Sequence, residues 1–170
     1  MTKNFSFGLI FMLALTGACQ SSGSQVQFAG NERLDLLPDE KMLPLSRETL
    51  DEYGKYCLPA TVEAPLSKAV SAEKYRIFIA LPFQANQQQF VEQLRRDTAN
   101  RTVLEVQPIS APDKGQKLFI KSGDRYDCCF VYDKTQPRGT TLLHVLSQDS
   151  TVARGFFNQS ADLFNRLKRD

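Results

Sequence analysis

Tyr126-Asp127-Cys128-Cys129-Phe130-Val131-Tyr132-Asp133 alternates with a period of two, the spacing at which successive side chains point to opposite faces of a β-strand. Tyr126, Cys128, Phe130 and Tyr132 make the apolar face, and Asp127, Cys129, Val131 and Asp133 the wetter one. Three further strand-like runs surround it at 102–107, 117–121 and 141–147, with no helical pattern between them. The joints carry Pro112-Asp113-Lys114-Gly115, Ser122-Gly123-Asp124 and Pro137-Arg138-Gly139. These are turn formers, so successive strands are expected to pair as antiparallel hairpins.

Upstream, Tyr75, Ile77, Ile79 and Leu81 alternate as another strand that Pro82 closes. Asn86 followed by Gln89 has the spacing of a capping box, and Phe90, Val91 and Leu94 then mark one helical face. Glu92 precedes Arg95 and Arg96 by three and four residues, which supports the exposed side of that helix. Downstream, Asp149 or Ser150 caps a closing helix whose apolar stripe is Phe156, Phe157, Leu163, Phe164 and Leu167. Arg166, Lys168 and Arg169 suit its C-terminal dipole. The expected fold class is α+β: a two-layer domain over 72–170 with a mainly antiparallel sheet of about five strands and two main helices, in the order β-α-β-β-β-β-α. Residues 31–71 read as an irregular N-terminal arm broken by Pro38, Pro44 and Pro59, in which 46–56 make a short helix capped by Ser46.

The first residues carry an address. Lys3 is followed by Phe5, Phe7, Leu9, Ile10, Phe11, Met12, Leu13 and Leu15, and no charge appears until Glu32. The run yields to Gln20, Ser21, Ser22, Gly23 and Ser24 before the ~20 apolar residues a membrane span requires. This is the layout of a cleaved export signal over 1–18. Residues 19–30, rich in Ser, Gly and Gln, read as a flexible tether.

Thr16-Gly17-Ala18-Cys19 closes the signal and resembles the processing site of a bacterial lipoprotein precursor, where two small residues precede the acylated cysteine. Thr16 stands where that family usually has Leu, Val or Ile. The resemblance implies lipidation at Cys19, palmitate among the chains, and a domain held in the periplasm. Gln20 in the second mature position implies sorting to the outer membrane. Several acyl chains on one cysteine meet the two-signal requirement for stable anchoring. The element order from Tyr75 to Arg169 is similar to that of the helix-grip domains in the lipoprotein subunit of the bacterial outer-membrane barrel-assembly machine, a likeness of pattern without a shared motif. One architecture hosts many roles, so it implies no function.

With Cys19 acylated, Cys57, Cys128 and Cys129 remain in a compartment that favours oxidation. Neighbouring strand residues face opposite ways, so Cys57 supplies one half of any bridge. Cys129 is the expected partner and Cys128 the alternative; three unbridged apolar thiols is the other reading. A closed loop of about 70 residues would stabilise the fold by ~4 kcal/mol.

Other chemistry is sparse. His144, the only histidine, sits between Leu142-Leu143 and Val145-Leu146 in a strand. No cysteine or serine in a strained turn accompanies it as a nucleophile, so no catalytic residue is expected. No Cys-x-x-Cys or His-x-x-x-His spacing occurs and adjacent cysteines do not face one ion, so no metal is expected. Gly115, Gly123 and Gly139 are isolated turn glycines, and no cofactor is expected.

The net charge of +2 over 170 residues, without clustered Lys and Arg, argues against nucleic acid as a partner. Arg95, Arg96 and Arg101 with Arg166, Lys168 and Arg169 form either a basic rim or a solvated helix face. The expected role is non-enzymatic: an envelope lipoprotein that binds another protein as an accessory or assembly factor at the periplasmic face of the outer membrane. The alternative is a small-ligand binder or enzyme, with His144, Tyr126 or Tyr132 lining a cavity between sheet and helices.

Overall fold

The structure is a computed structural model, and it describes residues 25–27, 32–83, 85–110, 114–134 and 139–169. The export signal, Cys19 and most of the tether lie outside the described residues, as do Pro112, Asp113, Pro137 and Arg138 of the expected turns.

Among the described residues, ten strands and four helices follow in this order: β1 (Gln25–Gln27), β2 (Glu32–Asp35), β3 (Lys41–Met42), α1 (Arg47–Tyr56), β4 (Leu66–Ser71), β5 (Arg76–Ala80), α2 (Gln87–Arg96), β6 (Arg101–Ile109), β7 (Lys114–Ser122), β8 (Arg125–Lys134), β9 (Gly139–Ser147), α3 (Ser150–Asn158), α4 (Ser160–Arg166) and β10 (Leu167–Arg169). Seven strands form one antiparallel sheet in the order β3-β4-β5-β9-β8-β7-β6, and β1-β2-β10 form a second. The expectation of about five strands and two helices is therefore corrected. The α+β class holds, with twice the strands and twice the helices.

The physical reasons are local. The segment 31–71 supplies β2, β3, α1 and β4. Leu66-Ser67-Lys68-Ala69-Val70-Ser71 lacks clean alternation, because the register slips between Leu66 and Lys68 and leaves Ser67 to donate to the Ile79 carbonyl at 2.9 Å. The closing helix is two helices. Asn158 is a weak helix former, Gln159 leaves helical geometry at φ -103°, ψ 37°, and at the break the buried Lys117 ammonium donates to the Phe157 carbonyl at 2.7 Å. Leu167-Lys168-Arg169, expected as the last helical turn, pairs with β2 instead.

Elsewhere the local signals act as their chemistry dictates. Asn86 accepts from the Gln89 amide at 2.8 Å, Ser46 from the Thr49 amide at 3.3 Å and Asp149 from the Thr151 amide at 2.8 Å. Gly123, at φ 59°, opens the two-residue turn that joins Ser122 to Arg125. Gly115 lies so close to β8 that an added Cβ would fall 2.4 Å from the Val131 carbonyl oxygen.

The large sheet is covered on both faces, which replaces the expected two layers by three. One face buries Ile77, Ile79, Cys128, Phe130, Tyr132, Leu143 and Val145 under Ala153 and Phe157 of α3 and Leu163 of α4. The other buries Phe78, Leu118, Ile120, Cys129, Val131, Leu142 and Leu146 under Tyr53 of α1 and Phe90, Val91 and Leu94 of α2. The face that alternation marks as the wetter one is thus dry at Asp127, Cys129 and Val131.

Candidate functional site

Strand register builds the most concentrated chemistry in the molecule. His144 on β9 stands opposite Cys129 on β8 and, across β9's other edge, opposite Phe78 on β5. Asp127 lies two residues before Cys129 on the same face of β8, the diagonal position within reach of a long side chain. His144 Nδ1 accordingly lies 2.9 Å from Asp127 Oδ2, and Cys129 Sγ lies 3.9 Å from Nε2.

Helix α1 closes this group from above. Thr49 and Tyr53 share a buried helical face, and Cys57, the C-cap residue, continues it one turn on. The Tyr53 ring meets the imidazole edge to face at 5.7 Å between centroids. The Sγ of Cys57, a carboxylate oxygen of Asp127 and a ring nitrogen of His144 all lie within 4.8 Å of one another. Among the described residues this is the only grouping of three or more such side chains at that spacing. Tyr53 is buried above it, and Cys57, Asp127, Cys129 and His144 are at 0 % exposure.

The electrostatics oppose nucleophilic chemistry. Burial first, and then the charge of Asp127, pushes both the Cys57 and the Cys129 thiol well above the ordinary thiol range. Burial does the same to the Tyr53 phenol, helped by Cys57 and Cys129. A reactive cysteine needs the opposite, an electropositive and partly exposed setting that favours thiolate. Sulfur, imidazole and carboxylate stand here in the order of a cysteine-histidine-aspartate triad, yet the sulfur is protonated and sealed from solvent.

The sequence-based candidates separate cleanly. Cys57 and Cys129 lie under the same helices, and Cys128 lies on the opposite face beneath α3. All three are free buried thiols, so no disulfide joins them in this structure. Tyr132 is buried and Tyr126 half-buried on the Cys128 face, where Tyr126 stacks on Phe119 at 5.8 Å. The sheet therefore stands between them and His144, and the three side chains do not line one cavity. Asp127 and Tyr53 are the residues that sequence reasoning missed. Alternation placed Asp127 on the same face as Cys129, but the pairing of Cys129 with His144 is a tertiary fact that neither strand states alone.

Of the basic residues read as either a rim or a solvated helix face, Arg101 and Arg166 are internal ties and Arg96 is solvated. Arg101 is buried, pairs with Asp97 and donates to the carbonyls of Tyr56 and Leu58. Arg166 pairs with the buried Glu40 and donates to the Asp35 carbonyl at 3.0 Å. Arg96 pairs with Glu92 at 3.8 Å on the solvent side. An open cleft of about 640 Å³ runs past the end of α1, lined by Tyr56, Leu58, Asp97, Arg101 and Ser122 among others. The Arg101 charge on it is already matched by Asp97. The outer surface also carries large apolar side chains: Phe83 is 70 % exposed and Met42 60 %, with Leu45 and Leu50 close behind in the stretch that leads from β3 into α1.

Comparison of the sequence with known protein families and with curated proteins returns no match.

Proposed function

We propose that this chain is a lipid-anchored envelope protein whose domain, held in the periplasm at the outer membrane, binds another protein as an accessory or assembly factor and performs no catalysis of its own. The observation that carries the reading is the contrast between inside and outside. The side chains able to do chemistry are sealed under α1, whereas Met42, Leu45 and Leu50 stand exposed within one short stretch. A contiguous exposed apolar patch marks an interaction surface, and these three side chains are the candidates for one. The anchor rests on Gly17-Ala18-Cys19 at the end of an uncharged apolar run.

Two measurements test this. Intact mass of the membrane-extracted product should show a chain that begins at Cys19 and carries added diacylglycerol and acyl mass, absent from a Cys19→Ala precursor. An unmodified soluble product removes the anchor. Cross-linking in the native envelope should join the domain to a discrete partner, and Met42→Asp with Leu50→Asp should abolish that product while the far-ultraviolet spectrum stays unchanged. Unaltered cross-linking in the double variant removes this surface from the proposal.

A further inference from the structure

We infer that Cys57, Asp127 and His144 form a buried binding site for one divalent cation of the zinc class, which would link α1 to the centre of the sheet. Three observations converge. The Sγ, carboxylate oxygen and ring nitrogen are mutually within 4.8 Å, gathered from a helix end and two neighbouring strands. Zn–S near 2.3 Å and Zn–N and Zn–O near 2.0–2.2 Å place donors on one tetrahedral ion about 3.4–3.6 Å apart, so coordination asks the widest pair to close by roughly an ångström and the Nδ1–Oδ2 pair, now 2.9 Å apart, to open by about half an ångström. Asp127 Oδ1, moreover, is buried without a hydrogen-bond partner. An orphaned carboxylate oxygen at full burial is costly and calls for an ion or water to satisfy it.

The donor set fits the class. One thiolate, one imidazole and one carboxylate suit a borderline cation, and Oδ1 supplies a further donor if the carboxylate binds with both oxygens. Charge also closes. A divalent ion with the Cys57 thiolate, the Asp127 carboxylate and a neutral imidazole is a neutral assembly, the kind an apolar interior tolerates. The step balances: the thiol proton of Cys57 is released to solvent as the S–metal bond forms. The proton that Nδ1 shares with Asp127 moves to Nε2 as Nδ1 takes the ion. Nε2–H then points to Cys129 Sγ, which lies 3.9 Å away and fixes the ring.

A Cys57–Cys129 disulfide is the competing use of the same sulfur. It would leave Asp127 Oδ1 without a partner, which coordination does not. Because the site is sealed, loading couples to folding, and metal must be present as the chain folds.

The test uses the full chain with Cys19→Ala, unfolded under reducing conditions with chelator and refolded with zinc or with cobalt as a spectroscopic probe. The inference expects one equivalent of zinc per chain after desalting. It expects a sulfur-to-cobalt charge-transfer band and a melting temperature about 5–10 °C above the chelated protein, the shift that about hundredfold saturation gives at this size. Cys57→Ser and Asp127→Asn should each lower metal content at least tenfold. Cys128→Ser, on the other face of the sheet, should leave it unchanged and shows that a thiol can be lost without loss of loading. Less than a tenth of an equivalent in the folded unsubstituted chain overturns the inference. So does loading unchanged in Cys57→Ser, or a Cys57–Cys129 disulfide in the chain isolated from the envelope.

Discussion

The two faces of the seven-stranded sheet are equally dry and differently made. Beneath α3 and α4 the contacts are aromatic: Phe164 meets Phe130 and Tyr132 edge to face at 5.4 Å, and Phe119 packs on Phe157. The buried ammonium of Lys117 there is tied off on a helix carbonyl. Beneath α1 and α2, a carboxylate, an imidazole and two thiols occupy the space that apolar side chains fill on the other side. The first face stabilises through area and packing. The second holds groups whose burial is favourable only while each keeps its partner, so it specifies one arrangement of α1 on the sheet at the expense of tolerance.

The largest effect should come from the aromatic face. Phe130→Ala, at a fully buried position, should lower the unfolding free energy by ~3–5 kcal/mol in denaturant titration, because a cavity adds to the lost transfer energy. A loss below about 1 kcal/mol would mean that α3 and α4 do not pack as described.

On the polar face the size of the loss should depend on what is left behind. Asp127→Val alone should destabilise by about 3 kcal/mol, and His144→Leu added to it should recover much of that, giving a coupling of ~1–3 kcal/mol in a double-mutant cycle. Effects that add to within ~0.5 kcal/mol would show the pair to be independent.

The thiols give the difference a pH dependence. Their folded pKa values are raised above the unfolded ones, so their contribution is fully present below the unfolded thiol value of about 8.5 and is lost as pH rises above it. Stability of the reduced, metal-free chain should therefore fall between pH 8.5 and 10.5, by up to ~1.4 kcal/mol per pH unit for each thiol involved. Replacing Cys57 and Cys129 by Val should reduce that slope and leave the share of Cys128, and an equal slope in the variant would assign it to other groups. The smallest change concerns the lid itself. Ser46→Ala removes the cap of α1 and should cost ~1 kcal/mol in the same titration.

Where one residue acts on its near neighbours, the sequence was readable. Asn86 caps α2 through Gln89, Asp149 caps α3, and Ser122-Gly123-Asp124 turns β7 into β8, each from a side chain or glycine acting within three residues. Alternation through β8 was equally plain, but it states only that two faces exist. Which of them is wet depends on what covers them, and α1 comes from a proline-broken stretch far upstream. Among the extra strands, β3 and β10 have two and three residues, too few to show a period, and β4 loses its alternation to the register slip after Leu66. At the cluster, Cys129 and His144 could each be singled out by type. Their juxtaposition, and the Asp127 contact that follows, exist only once β8 and β9 pair in this register. Tyr53 carried no signal beyond the helical spacing that puts it one turn before Cys57.

The central claim is that the molecule's chemistry-bearing residues are internal, and that its function lies in its anchor and surface. Thiol labelling of the folded, reduced chain with a maleimide, read by mass at each cysteine, tests it most directly. The account predicts that Cys57, Cys128 and Cys129 stay unmodified under native conditions and all react once denaturant unfolds the chain. Rapid labelling of Cys57 or Cys129 in the folded state, at a rate independent of unfolding, would reveal an accessible sulfur beside His144 and contradict it.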